Sequence, residues 1–371
     1  MREALSSPEW LITEDGFDPE RANVRETLCT VGNGYLGTRG TLEEGHPGDL
    51  SGTYLAGVYD AHDSPVVDLV NAPDWLSFAV YVDGTRLDVR NATVLDHERT
   101  LDLRTGLLYR RTVFEDADGR RTRLETLRCA SLADRRTCAL RVEITPVDHG
   151  GEITVESAVD GRRRNLERLP VYPAGTTFPL ETRWEKWALT RHLDRTERGA
   201  VGDVAYLEMR TIASGITLGY AATTLPSVEP TWSGFTAENE RITWRAVFPG
   251  GPVRMDKLVR IGTSRDVDGG PVKEGCLDGL EAARSAGFDA IVAASAAAWE
   301  ERWDDCDVTI DGDPASTQAM RFGVYHLLIA ANDADPTVNI GAKSLSGEGY
   351  RGHVFWDTEI LMLPFFIYTR P

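Results

Sequence analysis

Leu140-Arg-Val-Glu-Ile-Thr145 is the stretch on which the fold turns. Leu140, Val142 and Ile144 alternate with Arg141, Glu143 and Thr145, the period of a strand with one buried face. Ile242, Trp244, Ala246 and Phe248 alternate in the same way. From about residue 75 to 265 such runs are divided by turn signals: Asp83-Gly84, Asp116-Ala-Asp-Gly119, Asp160-Gly161 and Pro249-Gly-Gly-Pro252. Many short antiparallel strands over this length predict a large two-sheet sandwich. A closed barrel is the alternative that the pattern alone leaves open.

The period changes near residue 276. Cys276 to Ala286 and Asp289 to Trp303 are alanine-rich with helical spacing, as in Trp299 and Trp303 one turn apart. Asp311-Gly-Asp-Pro314 breaks the chain and starts another helix, with Asp313 as N-cap and Pro314 at the first helical position. Met320, Val324, Leu327, Leu328 and Ala331 give it one apolar stripe. The expected division is a β domain over 1–270, a helical linker over 271–312 and the start of a helical domain over 313–371. One amphipathic helix and a second fragment lack a partner for that stripe, so loose order is expected from Pro314 onward.

A chain of 371 residues exceeds one ordinary core, consistent with several folding units. Net charge is −18, which argues against nucleic-acid binding and against an anionic membrane surface. Five scattered cysteines, without CxxC or Cys/His spacing, indicate neither a disulfide framework nor a metal site. The N-terminus has no apolar signal segment, and no uninterrupted apolar run reaches membrane-spanning length. A cytoplasmic location is the default expectation.

Chemistry concentrates in Ile340-Gly-Ala-Lys-Ser-Leu-Ser-Gly-Glu-Gly-Tyr-Arg-Gly-His-Val-Phe-Trp-Asp-Thr-Glu359. Phe355 and Trp356 offer flat apolar faces for a sugar ring, and Asp357 and Glu359 offer acceptors for its hydroxyls. The glycine-rich lead-in, Gly341 to Gly352, fits a pocket loop. In a helix, His353 and Asp357 would share one face, with Trp356 and Glu359 on a neighbouring one. The competing reading is a buried interhelix contact, with Trp356 in the core and the acids solvated. Asp357 and Glu359 would point roughly 200° apart on a helix, which disfavours them as the paired carboxylates of a glycosidase.

Gly32-Asn-Gly-Tyr-Leu-Gly37 matches G-x-G-x-x-G, but Thr38-Arg-Gly-Thr-Leu42 follows instead of a helix. A turn or close-packed strand junction is expected, leaving a nicotinamide-dependent oxidoreductase as a distant alternative. Trp184 and Trp187, in the Arg-rich stretch Glu181 to Arg191, are read as loop anchors in preference to a sugar lining. Serine-hydrolase and P-loop motifs are absent, and no histidine has an evident partner.

Three blocks resemble the N-terminal domain of glycoside hydrolase family 65: Glu26-Thr-Leu-Cys-Thr-Val-Gly-Asn-Gly-Tyr-Leu-Gly-Thr-Arg-Gly40, Thr53-Tyr-Leu-Ala-Gly-Val-Tyr-Asp60 and Leu69-Val-Asn-Ala-Pro-Asp-Trp75. Ile340 to Phe366 is similar to the start of that family's catalytic domain, and the match runs from Trp10 to Pro371. The resemblance implies a large antiparallel β-sandwich, a helical linker, an (α/α)6 barrel and a small C-terminal β domain. This chain is expected to hold the first two and only the first helices of the barrel.

The resemblance further implies inverting phosphorolysis of an α-linked glucose disaccharide such as maltose, kojibiose or trehalose, giving β-glucose 1-phosphate. A general acid protonates the glycosidic oxygen while inorganic phosphate, the co-substrate, attacks the anomeric carbon. No cofactor is expected. The family's general-acid Glu and phosphate-binding residues fall beyond residue 371, so no catalytic residue is expected here and the chain alone is expected to be inactive. An interrupted gene, a fragment, or a partner chain that supplies the rest would each explain this. Trp356 and Asp357 carry over as holders of the non-reducing glucose. Arg351, His353 and Glu359 match the motif as supporting residues. The expected partners are the disaccharide and phosphate, with a homodimer of the full-length form left open. An α-glucoside hydrolase of trehalase type, or a non-catalytic carbohydrate-binding or assembly module, is the alternative function.

Overall fold

The alternating strands pair into two facing antiparallel sheets. The computed structural model describes residues 1–62, 66–170, 184–266 and 270–370. The larger sheet runs, in spatial order, Leu11–Asp15, Thr93–Asp102, Leu107–Glu115, Arg121–Ala130, Thr137–Pro146, Val253–Thr263, Thr217–Pro226, Val204–Thr211 and Leu193–Val201. The smaller one runs Trp232–Glu238, Arg241–Phe248, Ile153–Asp160, Phe78–Val82 and Thr85–Arg86. The outer strands of the larger sheet do not join each other. The architecture is therefore the expected sandwich and not a closed barrel.

Leu140, Val142 and Ile144 are buried in one apolar core with Val155, Trp244 and Phe248 of the facing sheet. Their alternation thus marks the face turned toward the second layer. Polar side chains also cross this layer: the Thr224 hydroxyl donates to that of Ser157 at 2.8 Å, and Lys257 reaches farther. Lys257 is buried, and its Nζ donates to the carbonyls of Ser77 (3.2 Å) and Ala158 (2.7 Å). Burial lowers its pKa to about 7. A neutral amine keeps two N–H donors, enough for both carbonyls.

The opposite face of the larger sheet is covered by helices Val272–Ala286 and Phe288–Asp304. Leu280, Ala283, Phe288 and Ile291 pack on Leu107, Tyr109, Leu127 and Leu258. Arg141, on the outward half of the alternation, pairs with Asp256 and Asp289, and its guanidinium lies 4.2 Å from the Phe288 ring centroid. All five cysteines are free and buried. Among the described residues no helix is long and apolar enough to cross a membrane.

Helix Pro314–Leu328 begins as expected, with the Asp313 carboxylate accepting from the Ser316 amide at 3.0 Å. Val324 and Leu328 of its stripe are covered, so this helix is packed where a bare stripe was expected, while Met320 stays exposed and helix Leu363–Thr369 buries none of its residues. Val324, Tyr325 and Leu328 are buried. Tyr325 stacks on Trp299 at 5.2 Å, and its hydroxyl donates to the Thr30 carbonyl at 3.2 Å. Arg321 forks onto Asp307 with two 2.8 Å bonds and lies 3.7 Å over Trp10, which meets Trp303 edge-on. The linker and the start of the sandwich supply the missing partner surface. Trp184–Thr190, expected as a loop, is a strand paired with Asn165–Pro170, and the Trp184 and Trp187 side chains lie outside what is described.

Two consequences are measurable. The Lys257 amine is neutral in the folded state above about pH 7 but stays protonated in the unfolded chain up to the ordinary lysine value of 10.5. The unfolded state therefore binds the extra proton in that window, and stability rises with pH. The stability difference between the native chain and Lys257→Met should shift in favour of the native chain by up to about 1.4 kcal/mol per pH unit there. A pH-independent difference in urea denaturation would refute the burial of a neutral lysine. Tyr325→Ala should cost about 3–5 kcal/mol in the same assay. A cost under about 1 kcal/mol would mean that the helix is not docked.

Candidate functional site

The G-x-G-x-x-G run forms a hairpin, strand Val31–Gly32 pairing with Leu36–Thr38, and no helix follows it. Each of its glycines faces the C-terminal segment. A Cβ on Gly32 would lie 3.2 Å from Ile329 Cβ. On Gly34 (φ +84°) it would lie 2.0 Å from the Ala331 carbonyl oxygen, and on Gly37 2.4 Å from that of Leu345. The Gly34 amide also donates to Ile329 O at 3.0 Å. The hairpin is a floor on which residues 329–345 lie, and side chains there would lift them off.

This floor is anchored to the large sheet by buried ion pairs. Arg110 holds Glu44 through two bonds of 2.7 and 2.8 Å and approaches Glu43 at 3.3 Å. Arg128 reaches Glu43 at 3.2 Å, and Arg99 binds Glu14 at 2.5 Å and the Gly40 carbonyl. Glu26 joins His46 (2.7 Å) to Arg39 (3.4 Å). Burial opposes charge on His46, but the Glu26 carboxylate outweighs it and raises the pKa. That pairing shows that a histidine does have a partner. These carboxylates serve as structural counter-ions for guanidinium groups that are themselves almost fully buried.

Residues 340–353 close into a compact loop. The Ala342 amide donates to the His353 carbonyl at 3.0 Å, and a Cβ on Gly341 would meet Gly352 O at 2.5 Å. Every flank of the loop is tied to the sandwich. Leu345 is buried with Tyr54 and Leu69, and Arg39 donates to Ser346 O at 2.7 Å. Glu348 accepts from the Leu166 amide (2.5 Å), Asn71 Nδ2 (3.1 Å) and the Tyr54 hydroxyl (3.2 Å). Burial nonetheless raises its pKa. Tyr350, Arg351 and Gly352 take φ of +57°, +58° and +74°, a left-handed turn. The turn sets Arg351 3.1 Å from Asp68 and the Gly352 carbonyl 2.7 Å from the Tyr59 hydroxyl. Asp68 also lies 3.6 Å from His192, whose other nitrogen is 3.2 Å from Asp60.

Because of this turn, His353 is not on a helix and does not share a face with Asp357. Its Nε2 instead lies 2.7 Å from the Val67 carbonyl. The helix opens only at Trp356 and widens to a π-type turn over Thr358–Met362 before α-helix Leu363–Thr369. Pro364 accounts for the widening, since it has no N–H for the carbonyl one turn earlier and its ring crowds that position. Thr358 is buried and donates to Ile340 O at 2.8 Å, pinning the helix start to the neck of the loop.

Trp356 is 78% exposed, which excludes it from the core. Asp357 and Glu359 are exposed, and neither carboxylate has a side-chain partner among the described residues. The arrangement is an open wall: one aromatic face beside free carboxylate acceptors, able to stack on a sugar ring and accept from its hydroxyls. Arg351 and His353 are engaged in holding the wall. Sequence reasoning missed Glu348 and Thr358, the Glu348 partners Tyr54 and Asn71, and Tyr59 and Asp68, which hold Gly352 and Arg351. Those four residues sit in or beside the blocks Thr53 to Asp60 and Leu69 to Trp75, which was the available signal.

Comparison with known proteins gives a consistent answer. The chain is 33% identical over 377 residues to a kojibiose phosphorylase of Caldanaerobacter subterraneus subsp. tengcongensis, covering 100% of this chain and 48% of that protein. It is 29% identical over 382 residues to an α,α-trehalose phosphorylase of Thermoanaerobacter brockii, covering 98% and 48%. The chain thus spans about half the length of the curated relatives it matches. In fold it is similar to a solved candidate kojibiose phosphorylase from the human microbiome, with TM-score 0.81 at 22% identity over 98% of this chain and 47% of the other. Residues 12–302 match the N-terminal domain of glycosyl hydrolase family 65 and residues 321–371 match its central catalytic domain, and the chain belongs to that family.

Proposed function

We propose that this chain supplies the sandwich, the linker and one wall of the sugar site of an inverting α-glucoside phosphorylase. In this reading Trp356 stacks on the non-reducing glucose of an α-linked disaccharide such as kojibiose, trehalose or maltose. Asp357 accepts from its hydroxyls, and inorganic phosphate attacks the anomeric carbon. Arg351 and His353 hold the loop, Glu359 stands beside the wall, and no residue from 1 to 371 is assigned the general-acid role. No cofactor enters this scheme. The observation that carries it is the docked loop, which spends Glu348, Arg351 and His353 on positioning and leaves Trp356 and Asp357 unpaired side by side. The relatives named as kojibiose and trehalose phosphorylases support the choice of chemistry. Five unpaired thiols fit a reducing, cytoplasmic compartment.

The test is turnover of kojibiose, trehalose and maltose by the full-length polypeptide, with and without phosphate. Glucose 1-phosphate should form only when phosphate is present, and Trp356→Ala or Asp357→Asn should lower kcat/KM by about 10²-fold or more. No turnover of any α-glucoside in either buffer would end this reading. Phosphate-independent cleavage would transfer it to a hydrolase.

The loop's placement is testable without activity. Gly34→Ala sets a methyl group where the Ala331 carbonyl runs. Hydrogen exchange over residues 329–353 should accelerate about tenfold or more, while the sandwich strands keep their protection. Unchanged exchange would show that the hairpin is not the floor.

A further inference from the structure

Away from the Trp356 wall, the segment around Arg162, the start of strand Leu193–Val201 and the turn at Glu240 enclose an open groove of about 620 Å³. Arg162, Arg164, Arg191 and Arg195 line it, with Asp194 and Glu240. In a chain of net charge −18, a cavity walled by four guanidinium groups against two carboxylates reverses the local sign.

Three of the four arginines are ion-paired, counting Asp160 just outside the groove, and Arg195 leaves one guanidinium over. Glu240 is divided between Arg164 (3.0 Å) and Arg191 (3.4 Å), and Arg191 also touches Asp194. Arg162 is steadied by Asp160 through contacts of 2.9 and 2.6 Å. Arg195 is exposed and has no ion pair among the described residues. The unpaired charge of Arg195 beside these paired guanidinium groups favours an anion in the groove. Guanidinium forks match pairs of oxygens on a tetrahedral oxyanion, and ion pairs hold three of the four in place before a ligand arrives, with Arg195 free to close on it. The groove is also wider than a lone tetrahedral ion needs.

We propose that this groove binds the phosphate group of a small anion, either free inorganic phosphate or a phosphomonoester whose organic part fills the remaining space. The assignment stands apart from the sugar wall, since it uses none of the residues that hold or form that wall.

Isothermal titration of the 371-residue chain with inorganic phosphate and, separately, with glucose 1-phosphate tests it, in chloride buffer at constant ionic strength. Saturable binding of at least one of the two is expected. It should weaken about tenfold or more in the double variant Arg191→Gln/Arg195→Gln and be unchanged in Trp356→Ala. Phosphate and glucose 1-phosphate binding alike would identify the free ion as sufficient, while glucose 1-phosphate alone would identify the phosphomonoester. Absence of saturable binding of both overturns the proposal, as does binding that survives the double variant or is lost with Trp356. Failure of the phosphorolysis assay would leave this result untouched, so the two readings fall separately.

Discussion

Three missing methyl groups set the course of the last third of this chain. Side chains at Gly32, Gly34 or Gly37 would stand where Ile329, Ala331 and Leu345 run, with separations down to 2.0 Å. Removing those side chains lets a backbone lie directly on a backbone, and the rest of the site hangs from that contact. The floor must also be stiff, and the arginine cluster beneath it supplies this. Arg99, Arg110 and Arg128 are nearly inaccessible to solvent, and each is met by a carboxylate or a carbonyl from the segment that runs out of the hairpin or from Glu14. Charges so buried gain little net stability from pairing, but losing one partner strands the other at a cost of about 3–5 kcal/mol. Such a cluster penalises any displacement of residues 39–44 more than it rewards their presence.

The loop above that floor adopts a conformation that its own residues disfavour. Tyr350 and Arg351 are both left-handed, at roughly 1–2 kcal/mol each for residues with a Cβ. Arg351 on Asp68, the Gly352 carbonyl on Tyr59 and Gly352 packed against Leu69 offset that strain. The turn therefore exists only against the sandwich. It reverses the chain so that His353 faces back toward Val67 while Trp356 and Asp357, three and four residues on, face outward. The direction of the wall comes from this strained reversal and from Thr358, and owes little to helix periodicity.

That division explains what could be read in advance. The Leu140, Val142 and Ile144 alternation was legible because a sandwich strand has one dry face, so burial and period coincide. Asp313 and Pro314 were legible because a helix cap is decided within four residues. The G-x-G-x-x-G run was legible as a close-packed junction, though what packs on it lies about three hundred residues away and leaves no local trace. Separation also hid the partners of Glu348, 182 to 294 residues away, and Glu44, the partner of Arg110, 66 residues away. The stripe of helix Pro314–Leu328 looked bare because its cover, Trp299 and the Thr30 carbonyl, belongs to elements whose proximity no periodicity encodes. Left-handed Tyr350 and Arg351 carried no residue signal either, and reading His353 and Asp357 as one helical face failed there.

Sequence matching and mechanics divide the molecule differently. The catalytic-domain match begins at residue 321, so Trp356 belongs to that domain by descent. The contacts that aim it, however, run to Arg39, Tyr54, Tyr59, Val67, Asp68, Asn71 and Leu166, all within the N-terminal match of 12–302. A wall whose direction is set this way cannot be rotated or loosened without disturbing the sandwich. The N-terminal domain is then more than a neighbour of the Trp356 wall. It is the template on which the first turn of the site takes shape, and changes in the Tyr54 to Asn71 region act on Trp356 as directly as changes beside it.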